Sequence, residues 1–262
     1  MADDSVLYEV RDGVAIVTLN RPENANCLSQ GIPEGLVQKV QKVQTDKDIR
    51  AMILTGTGKF FCAGGDLGEF SALGENLSDH MYEKVSSFHN LLSLFSRLEK
   101  PVIIAVNGIA AGGGLSLSLM GDYIIAADTA KFTLAYTNGG LSPDGGSTYY
   151  LAKHIGLLRA KEMLITNRVL SADEAMNWGM VSEVVNQDKV MARALEVALP
   201  LAKGPTRAFG AVKKLLMTAY SENLESQLAL ETLEMVKATS TQDAKAGINA
   251  FLNKQKPEFS GE

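Results

Sequence analysis

The stretch Asn-Gly-Ile-Ala-Ala-Gly-Gly-Gly-Leu-Ser-Leu-Ser-Leu, residues 107–119, decides the fold class. It follows an apolar run, residues 102–106, that is typical of a buried strand, and it leads into an apolar segment of helical length. Three consecutive glycines, residues 112–114, therefore lie where a strand turns into a helix. Glycine lets a ligand approach the backbone, and a helix start presents unpaired N–H groups at the positive end of the helix dipole. The turn can hold a developing negative charge, or it can serve only the close packing of a helix on a sheet.

A second glycine loop, Phe-Cys-Ala-Gly-Gly-Asp-Leu at residues 61–67, has the same setting, because it follows a short apolar strand predicted over residues 51–55. The first stretch lacks the Lys-Ser/Thr ending of a P-loop and the spacing of a dinucleotide-binding fingerprint, which disfavours phosphate binding there. Alternating strands and helices predict an α/β fold. Ligands in such folds lie beyond the carboxyl ends of the strands, where both glycine loops are expected.

The flanking sequence predicts how this core begins. Two strands over residues 7–11 and 14–19 are joined by Asp12-Gly13, a strong hairpin signal. An amphipathic helix is predicted over residues 78–98, stopping before Pro101. Further strands are predicted over residues 123–127, 131–135 and 183–185.

From residue 188 onward the sequence has only helical periodicity. The helices between residues 205 and 252 carry apolar faces that a small separate module cannot bury by itself, so they are expected to pack on the main domain or on another subunit. We predict an α/β core over residues 1–200 and a helical oligomerisation region over residues 201–262.

Composition excludes several kinds of partner. A net charge of −5 gives no general attraction to nucleic acid or to an anionic membrane surface. The apolar runs are too short to span a bilayer, and the N-terminus has no signal-peptide pattern. The two cysteines, Cys27 and Cys62, form no zinc motif or disulfide framework. We therefore expect a cytoplasmic protein without a metal site, a nucleic-acid partner or a membrane partner.

The ordered motifs resemble those of the crotonase superfamily, the fold of enoyl-CoA hydratases and isomerases. They include the two glycine loops and three further segments, Asn20-Arg21-Pro22, Pro143-Asp144-Gly145-Gly146 and residues 175–181. The resemblance implies a crotonase-like ββα spiral core with a C-terminal helical trimerisation region, and thus a homotrimer or a dimer of trimers. It also implies an acyl-CoA thioester substrate and no cofactor beyond the coenzyme A part of that substrate.

The resemblance assigns residues to substrate binding. The backbone N–H groups of Gly65 and Gly113 would form an oxyanion hole for the thioester oxygen. Coenzyme A would contact Ala63, Asp66 and Leu67 of the glycine loop at residues 61–67 and the basic residue Arg21 near the N-terminus. A neighbouring subunit would contribute two further contacts, Phe251 and Lys254.

The reaction must be inferred from side chains, because the superfamily shares its oxyanion hole among several chemistries. Hydratases of this family carry glutamates at two positions where this chain has Ser116 and Tyr136. Neither side chain is a strong base at neutral pH, so a two-glutamate hydratase is not expected. Both residues, together with Phe88, are expected to line the substrate pocket.

Asp144 is the acidic residue that remains in this region. Taken alone, the Pro-Asp-Gly-Gly sequence predicts a turn or a helix N-cap. The resemblance instead implies an enoyl-CoA isomerase of fatty acid or aromatic acid metabolism, with Asp144 as its single acid and base. An alternative is an aryl-CoA dehalogenase or hydrolase, in which Asp144 is the nucleophile and His89 the base that activates water. A third possibility is a non-catalytic acyl-CoA-binding subunit.

Overall fold

Two β-sheets carry the fold of residues 4–262, the part of the chain that the computed structural model describes. Their strands, in chain order, are β1 Val6–Arg11, β2 Val14–Leu19, β3 Ala51–Gly56, β4 Phe60–Cys62, β5 Val102–Val106, β6 Ile109–Ala111, β7 Tyr123–Ala127, β8 Lys131–Thr133, β9 Leu170–Ser171 and β10 Glu183–Val185. The larger sheet has the order β1-β2-β3-β5-β7-β10, and the smaller has the order β4-β6-β8-β9. The predicted α/β class is confirmed.

The hairpin at the edge of the larger sheet follows from its turn residues. Strands β1 and β2 are antiparallel and pair Arg11 with Val14. Asp12 and Gly13 both have positive φ, 47° and 78°, as a type I′ turn requires. From β2 to β10 in this sheet, neighbouring strands pair in parallel. Of these, β2, β3, β5 and β7 are largely buried and rich in Val, Ile, Leu and Ala, whereas β10 at the edge is partly exposed.

Eleven helices cover the sheets and extend the C-terminal region within residues 4–262. They are α1 Ile32–Thr45, α2 Leu67–Ala72, α3 Leu77–Arg97, α4 Gly113–Ser118, α5 Ser147–Ile155, α6 Leu157–Thr166, α7 Ala172–Asn177, α8 Val190–Ala202, α9 Thr206–Thr218, α10 Leu224–Thr239 and α11 Gln242–Leu252. Helix α3 matches the predicted span closely and ends where the backbone becomes extended at Leu98, ahead of Pro101. The helix after the triple glycine is shorter than expected, with six residues that are all buried.

A repeated strand–strand–helix unit positions the site. Each of the long parallel strands β3, β5 and β7 is followed directly by a short strand of the second sheet, β4, β6 and β8. Those short strands pair in parallel, β4 with β6 and β6 with β8. Because parallel strands end at the same edge, the loops that follow β4, β6 and β8 meet there. Both glycine loops and the connection to Asp144 therefore start from one edge of the small sheet. One predicted strand is shorter than expected: β8 stops at Thr133, and Ala135 has a φ of 53°.

The C-terminal helices expose a large apolar surface. Helix α8 spans the predicted domain boundary at residue 200 and packs on β3 and β5. The exposed apolar side chains of the last three helices include Val212, Leu216, Leu228, Leu233, Val236 and Ile248.

Arg50 links the C-terminal region to the core by donating hydrogen bonds to the Phe259 carbonyl at 2.9 Å and to the Gly204 carbonyl. Within residues 4–262, no helix combines the length and apolar character needed to cross a membrane.

Candidate active site

The two glycine loops touch each other. A Cβ atom built on Gly64 would lie only 2.8 Å from the backbone nitrogen of Gly113 and 2.8 Å from the Ala111 carbonyl oxygen. Gly64 has a φ of 87°, a conformation that side chains disfavour. Glycine is thus required here for both the backbone conformation and the close approach of the second loop. The contact brings the neighbouring Gly65 to the start of helix α4.

Two backbone N–H groups in these loops are unused. Gly113 is the first residue of α4, where an amide has no acceptor within its own helix. Among residues 4–262, neither Gly113 nor Gly65 donates a backbone hydrogen bond to another residue. Gly65 is exposed, so its amide is reachable from solvent. Gly113 itself is buried, and the oxyanion hole formed by these two amides stays a prediction with which their lack of an internal acceptor is compatible.

The other two glycines of the triplet have different roles. Gly112 has φ 50° and ψ −127°, a conformation that residues with a Cβ rarely adopt. A Cβ on Gly114 would lie 2.1 Å from the carbonyl oxygen of Cys62, so the helix could not pack against β4. The packing role that the sequence allowed for the triplet is thus confirmed at Gly114, whereas the anion-binding role stays a prediction. Gly114 permits packing, while Gly112 turns the chain so that the Gly113 amide is left without an internal acceptor.

Asp144, Tyr136 and Ser116 form one polar cluster. The Tyr136 hydroxyl donates a hydrogen bond to Oδ1 of Asp144. The Ser116 hydroxyl donates to the backbone carbonyl of Asp144 at 3.3 Å. Burial, followed by the negative charge and hydrogen bond of Asp144, raises the pKa of Tyr136 well above its ordinary value. The phenol consequently stays protonated and acts as a donor to the carboxylate.

The backbone after Asp144 directs its carboxylate away from helix α5. Gly145 and Gly146 have consecutive positive φ values of 61° and 68°, which form a tight turn into the helix. Gly146 occupies the N-cap position, and no side chain caps that helix. Ser147 instead bonds to the Asp144 carbonyl, through its amide at 3.1 Å and its hydroxyl at 2.8 Å. The helix N-cap that the isolated sequence allowed for Asp144 is wrong, because the turn leaves the carboxylate facing Tyr136.

His89 and Phe88 approach the same turn from helix α3. Nε2 of His89 accepts a hydrogen bond of 3.0 Å from the Gly145 amide. Phe88 is buried, and its ring packs closely against two glycines. A Cβ atom built on Gly145 would lie 2.6 Å from the ring, and a Cβ atom built on Gly113 would lie 3.3 Å from it. A ring of this size therefore fills the space between the triple-glycine helix and the Asp144 turn. No local sequence pattern indicated that the Gly145 amide would be the partner of His89.

The residues predicted to contact coenzyme A near the first glycine loop also have structural partners. Asp66 caps helix α2 by accepting from the amides of Gly68 at 2.9 Å and Glu69 at 3.1 Å. Its other oxygen accepts from Asn24 at 3.0 Å, and that bond is the largest of the causes that lower the pKa of Asp66. Asn24 is a site-supporting residue that the sequence did not reveal, because its partner lies far along the chain.

Three further predicted contacts lie at the same end of the molecule. The Ala63 amide donates to the Ala25 carbonyl at 3.0 Å, whereas the Leu67 side chain is 65% exposed. The Arg21 guanidinium bonds to Glu23 and to the Gln30 carbonyl, both at 3.2 Å. Arg21 is thus partly neutralised, and a phosphate would have to compete with Glu23 for it.

Phe251 and Lys254 lie on the C-terminal helical region. Phe251 is 83% exposed at the end of α11, and Lys254 follows it with a φ of 53°. Within residues 4–262, neither side chain forms a hydrogen bond or an ion pair with the Asp144 cluster. Both are displayed on the surface, as residues serving a neighbouring subunit would be.

Cys62 lies at the start of the glycine loop at residues 61–67 but takes no part in the Asp144 cluster. Cys62 is fully buried behind the loop, and burial raises the pKa of its thiol to about 12, so it is a packing residue and not a nucleophile. No group of three or more metal-ligating side chains occurs within residues 4–262. A cavity of about 750 Å³ lies elsewhere, between the end of α3 and helices α9 and α10, and includes none of the cluster residues. The candidate site therefore rests on the side-chain contacts of the Asp144 cluster and not on this cavity.

Comparisons with known proteins agree with this geometry. The family model described as enoyl-CoA hydratase/isomerase matches residues 9–262. The 1,2-epoxyphenylacetyl-CoA isomerase of Escherichia coli (strain K12) is 38% identical over 257 residues, covering 98% of this chain and 98% of that protein. The 4-chlorobenzoyl coenzyme A dehalogenase-2 of an Arthrobacter species is 36% identical over 226 residues, covering 86% of this chain and 82% of that protein. The crystal structure of enoyl-CoA hydratase from Bacillus anthracis matches with a TM-score of 0.93 at 33% identity, covering 98% of this chain and 100% of that one. Sequence, fold and glycine-loop geometry together make this chain a member of the enoyl-CoA hydratase/isomerase family.

Proposed function

We propose that this protein is an enoyl-CoA double-bond isomerase in which Asp144 is the single acid and base. The observation that carries the proposal is the cluster itself. The Asp144 carboxylate accepts from Tyr136 and its backbone carbonyl accepts from Ser116, and these two residues occupy the positions where the family resemblance puts the glutamates of a hydratase. Hydroxyls at these positions do not provide the second base that addition of water requires.

The reaction needs only groups that the cluster and the glycine loops supply. The thioester oxygen accepts hydrogen bonds from the amides of Gly65 and Gly113, each worth about 2.7–4 kcal/mol to the transition state in other enzymes. Asp144 removes a proton from the α carbon, and the electron pair of that C–H bond moves into a dienolate. The same carboxyl group then returns the proton at the γ carbon, so that the double bond shifts without net loss of atoms.

Incubation with a panel of 3-enoyl-CoA thioesters in deuterated water tests the proposal. The wild-type protein is expected to form the 2-enoyl isomers and to exchange protons at the α and γ carbons. Asp144→Asn should reduce turnover by about a hundredfold or more, because positioned acid–base groups contribute that much. Asp48→Asn is the matched control, since Asp48 is exposed and remote in the chain from the cluster. Equal turnover and equal label uptake in wild type and Asp144→Asn would refute the assignment.

A second candidate function makes Asp144 a nucleophile toward an aryl-CoA or another acyl-CoA. Its support is the similarity to a dehalogenase and the placement of His89 beside the Asp144 turn. A single turnover in oxygen-18 water followed by mass spectrometry of the Asp144 peptide distinguishes the two. Label in the aspartate would support the nucleophile, whereas an unlabelled aspartate with active isomerisation supports the acid–base role. Binding of thioesters without any turnover would indicate the non-catalytic alternative.

We also propose that the active unit is a homotrimer or a dimer of trimers. The exposed apolar faces of α9 and α10 support this assembly, since a monomer would leave them in water. In the assembly, Phe251 and Lys254 of one subunit would reach the coenzyme A bound by its neighbour. Arg21, Ala63, Asp66 and Leu67 would hold the same coenzyme A from the subunit that carries Asp144.

A further inference from the structure

Tyr136 is the only side chain among residues 4–262 that donates a hydrogen bond to the Asp144 carboxylate. It lies in the segment between β8 and α5, eight positions before Asp144. The amides of Gly139 and Leu141 both donate to its carbonyl at 3.0 Å, which fixes the backbone that carries the ring. The phenol therefore approaches Asp144 from a defined direction.

The two carboxylate oxygens of Asp144 differ as a result. Oδ1 accepts the Tyr136 bond, whereas Oδ2 accepts no hydrogen bond from any of residues 4–262. The raised pKa of Tyr136, caused first by burial and then by the facing carboxylate, keeps the hydroxyl in its donor form.

We propose that Tyr136 is a positioning residue that occupies Oδ1 of Asp144 and leaves Oδ2 as the single oxygen that carries the proton. This inference rests on the proposed isomerase function. The proton leaves the α carbon for Oδ2 and then leaves Oδ2 for the γ carbon, while Oδ1 keeps its bond to the phenol. Because Tyr136 restrains rotation of the carboxylate, one oxygen serves both carbons, and protonation of Oδ1 by solvent is suppressed.

Tyr136→Phe tests the proposal, since it keeps the ring and removes only the hydroxyl. We expect kcat to fall by about ten- to a hundredfold, because misplacing a reactive group lowers the rate by such factors in other enzymes. KM should change by less than about threefold, because Tyr136 acts on Asp144 and not on substrate binding.

The matched control is Tyr123→Phe. The Tyr123 hydroxyl also bonds to a carboxylate, Glu183, at 3.3 Å, but that pair joins β7 to β10 away from the cluster. Infrared spectra of protein labelled with carbon-13 only in the aspartate carboxyl groups provide a readout that does not depend on turnover. The labelled carboxylate band should change in Tyr136→Phe and stay unchanged in Tyr123→Phe, whose partner is an unlabelled glutamate.

The outcomes separate this proposal from the function on which it rests. A changed band and a lower kcat with little change in KM would support it. An unchanged labelled band, or a wild-type kcat, in Tyr136→Phe would overturn it. If the band changes but the wild-type protein isomerises no 3-enoyl thioester, the proposed isomerase function fails, while the hold of Tyr136 on the carboxylate stands. If Tyr136→Phe unfolds, the infrared difference between wild type and Asp144→Asn isolates the Asp144 carboxylate band, and a band at the frequency of a carboxylate without a phenol donor would overturn the proposal.

Discussion

Nε2 of His89 is bonded to the backbone amide of Gly145, at a distance of 3.0 Å. A neutral imidazole has one nitrogen that accepts and one that carries a proton. Because Nε2 accepts from Gly145, Nδ1 carries the proton, and no nitrogen is free to take another one. The bond holds the turn that carries Asp144, which favours a positioning role for His89 over a base that activates water.

Substitution of His89 separates these two roles. His89→Gln keeps an acceptor at nearly the same reach but cannot act as a base at neutral pH, so activity should stay within about threefold of wild type. His89→Ala removes the acceptor and should lower kcat by about tenfold, because the Asp144 turn is no longer fixed. Steady-state kinetics with the best thioester measures both variants. If His89→Gln is as damaged as His89→Ala, His89 is a base and the nucleophilic mechanism gains support.

The cap that Asp66 provides next to Gly65 should contribute to stability. Asp66→Ala is expected to lower the free energy of unfolding by about 1 kcal/mol, a typical value for loss of an N-cap. Asp66→Asn should lose less, because asparagine also caps helices well. Urea unfolding followed by circular dichroism measures the difference, and equal stability of wild type and Asp66→Ala would contradict the capping role.

The contribution of Asp66 should also depend on pH. The Asn24 bond, together with the amide donors, lowers the pKa of this carboxyl below its ordinary value of 3.8. A lowered folded pKa means that the stabilisation is present above pH 3.8 and is lost as the pH falls through the lower folded value. The gap between wild type and Asp66→Ala should therefore be full at neutral pH and close in strong acid. A gap that widens on acidification would contradict this sign.

Asp243 should anchor the last residues of the described chain. Its buried carboxylate accepts from the Ser260 amide at 2.7 Å, the Ser260 hydroxyl at 3.2 Å and the Gly261 amide at 2.9 Å. Asp243→Ala leaves these donors without an acceptor and should cost about 2–3 kcal/mol of unfolding free energy. Asp48→Ala, at an exposed position, should cost less than about 0.5 kcal/mol. Limited proteolysis near Ser260 should be faster in Asp243→Ala, and an unchanged cleavage rate would indicate that the tail is held by other contacts.

The exposed apolar face of α9 should be an assembly surface. Leu216 is 65% exposed in the single chain, and a charge placed there would be buried in an oligomer without a partner. Leu216→Glu is therefore expected to shift the sedimentation coefficient from that of a trimer or hexamer toward that of a monomer. Lys203→Glu is the control, because Lys203 is exposed but lies outside the apolar face. A monomeric wild type, or a Leu216→Glu variant with unchanged mass, would contradict the proposed assembly.

Local patterns in the sequence predicted most of the fold. The Asp12-Gly13 turn, the buried parallel strands and the glycines at strand ends are signals that act over a few residues, since they depend on backbone conformation and on which face is buried. They identified the hairpin, helix α3 and the two loops that carry Gly65 and Gly113. The resemblance added Asp144, Tyr136 and Ser116 as candidates, but it could not determine which atoms would meet.

The tertiary structure decided the contacts of the site. The isolated sequence allowed Asp144 to cap a helix, yet two left-handed glycines direct its carboxylate to Tyr136 instead. His89 reached the same turn from a helix 56 positions earlier in the chain, and Asn24 reached Asp66 across 42 positions. Such partners depend on how the strands and helices pack against each other, which no local pattern records. The sequence by itself therefore determined the fold and the pair of glycine loops, whereas packing determined how the Asp144 carboxylate is held.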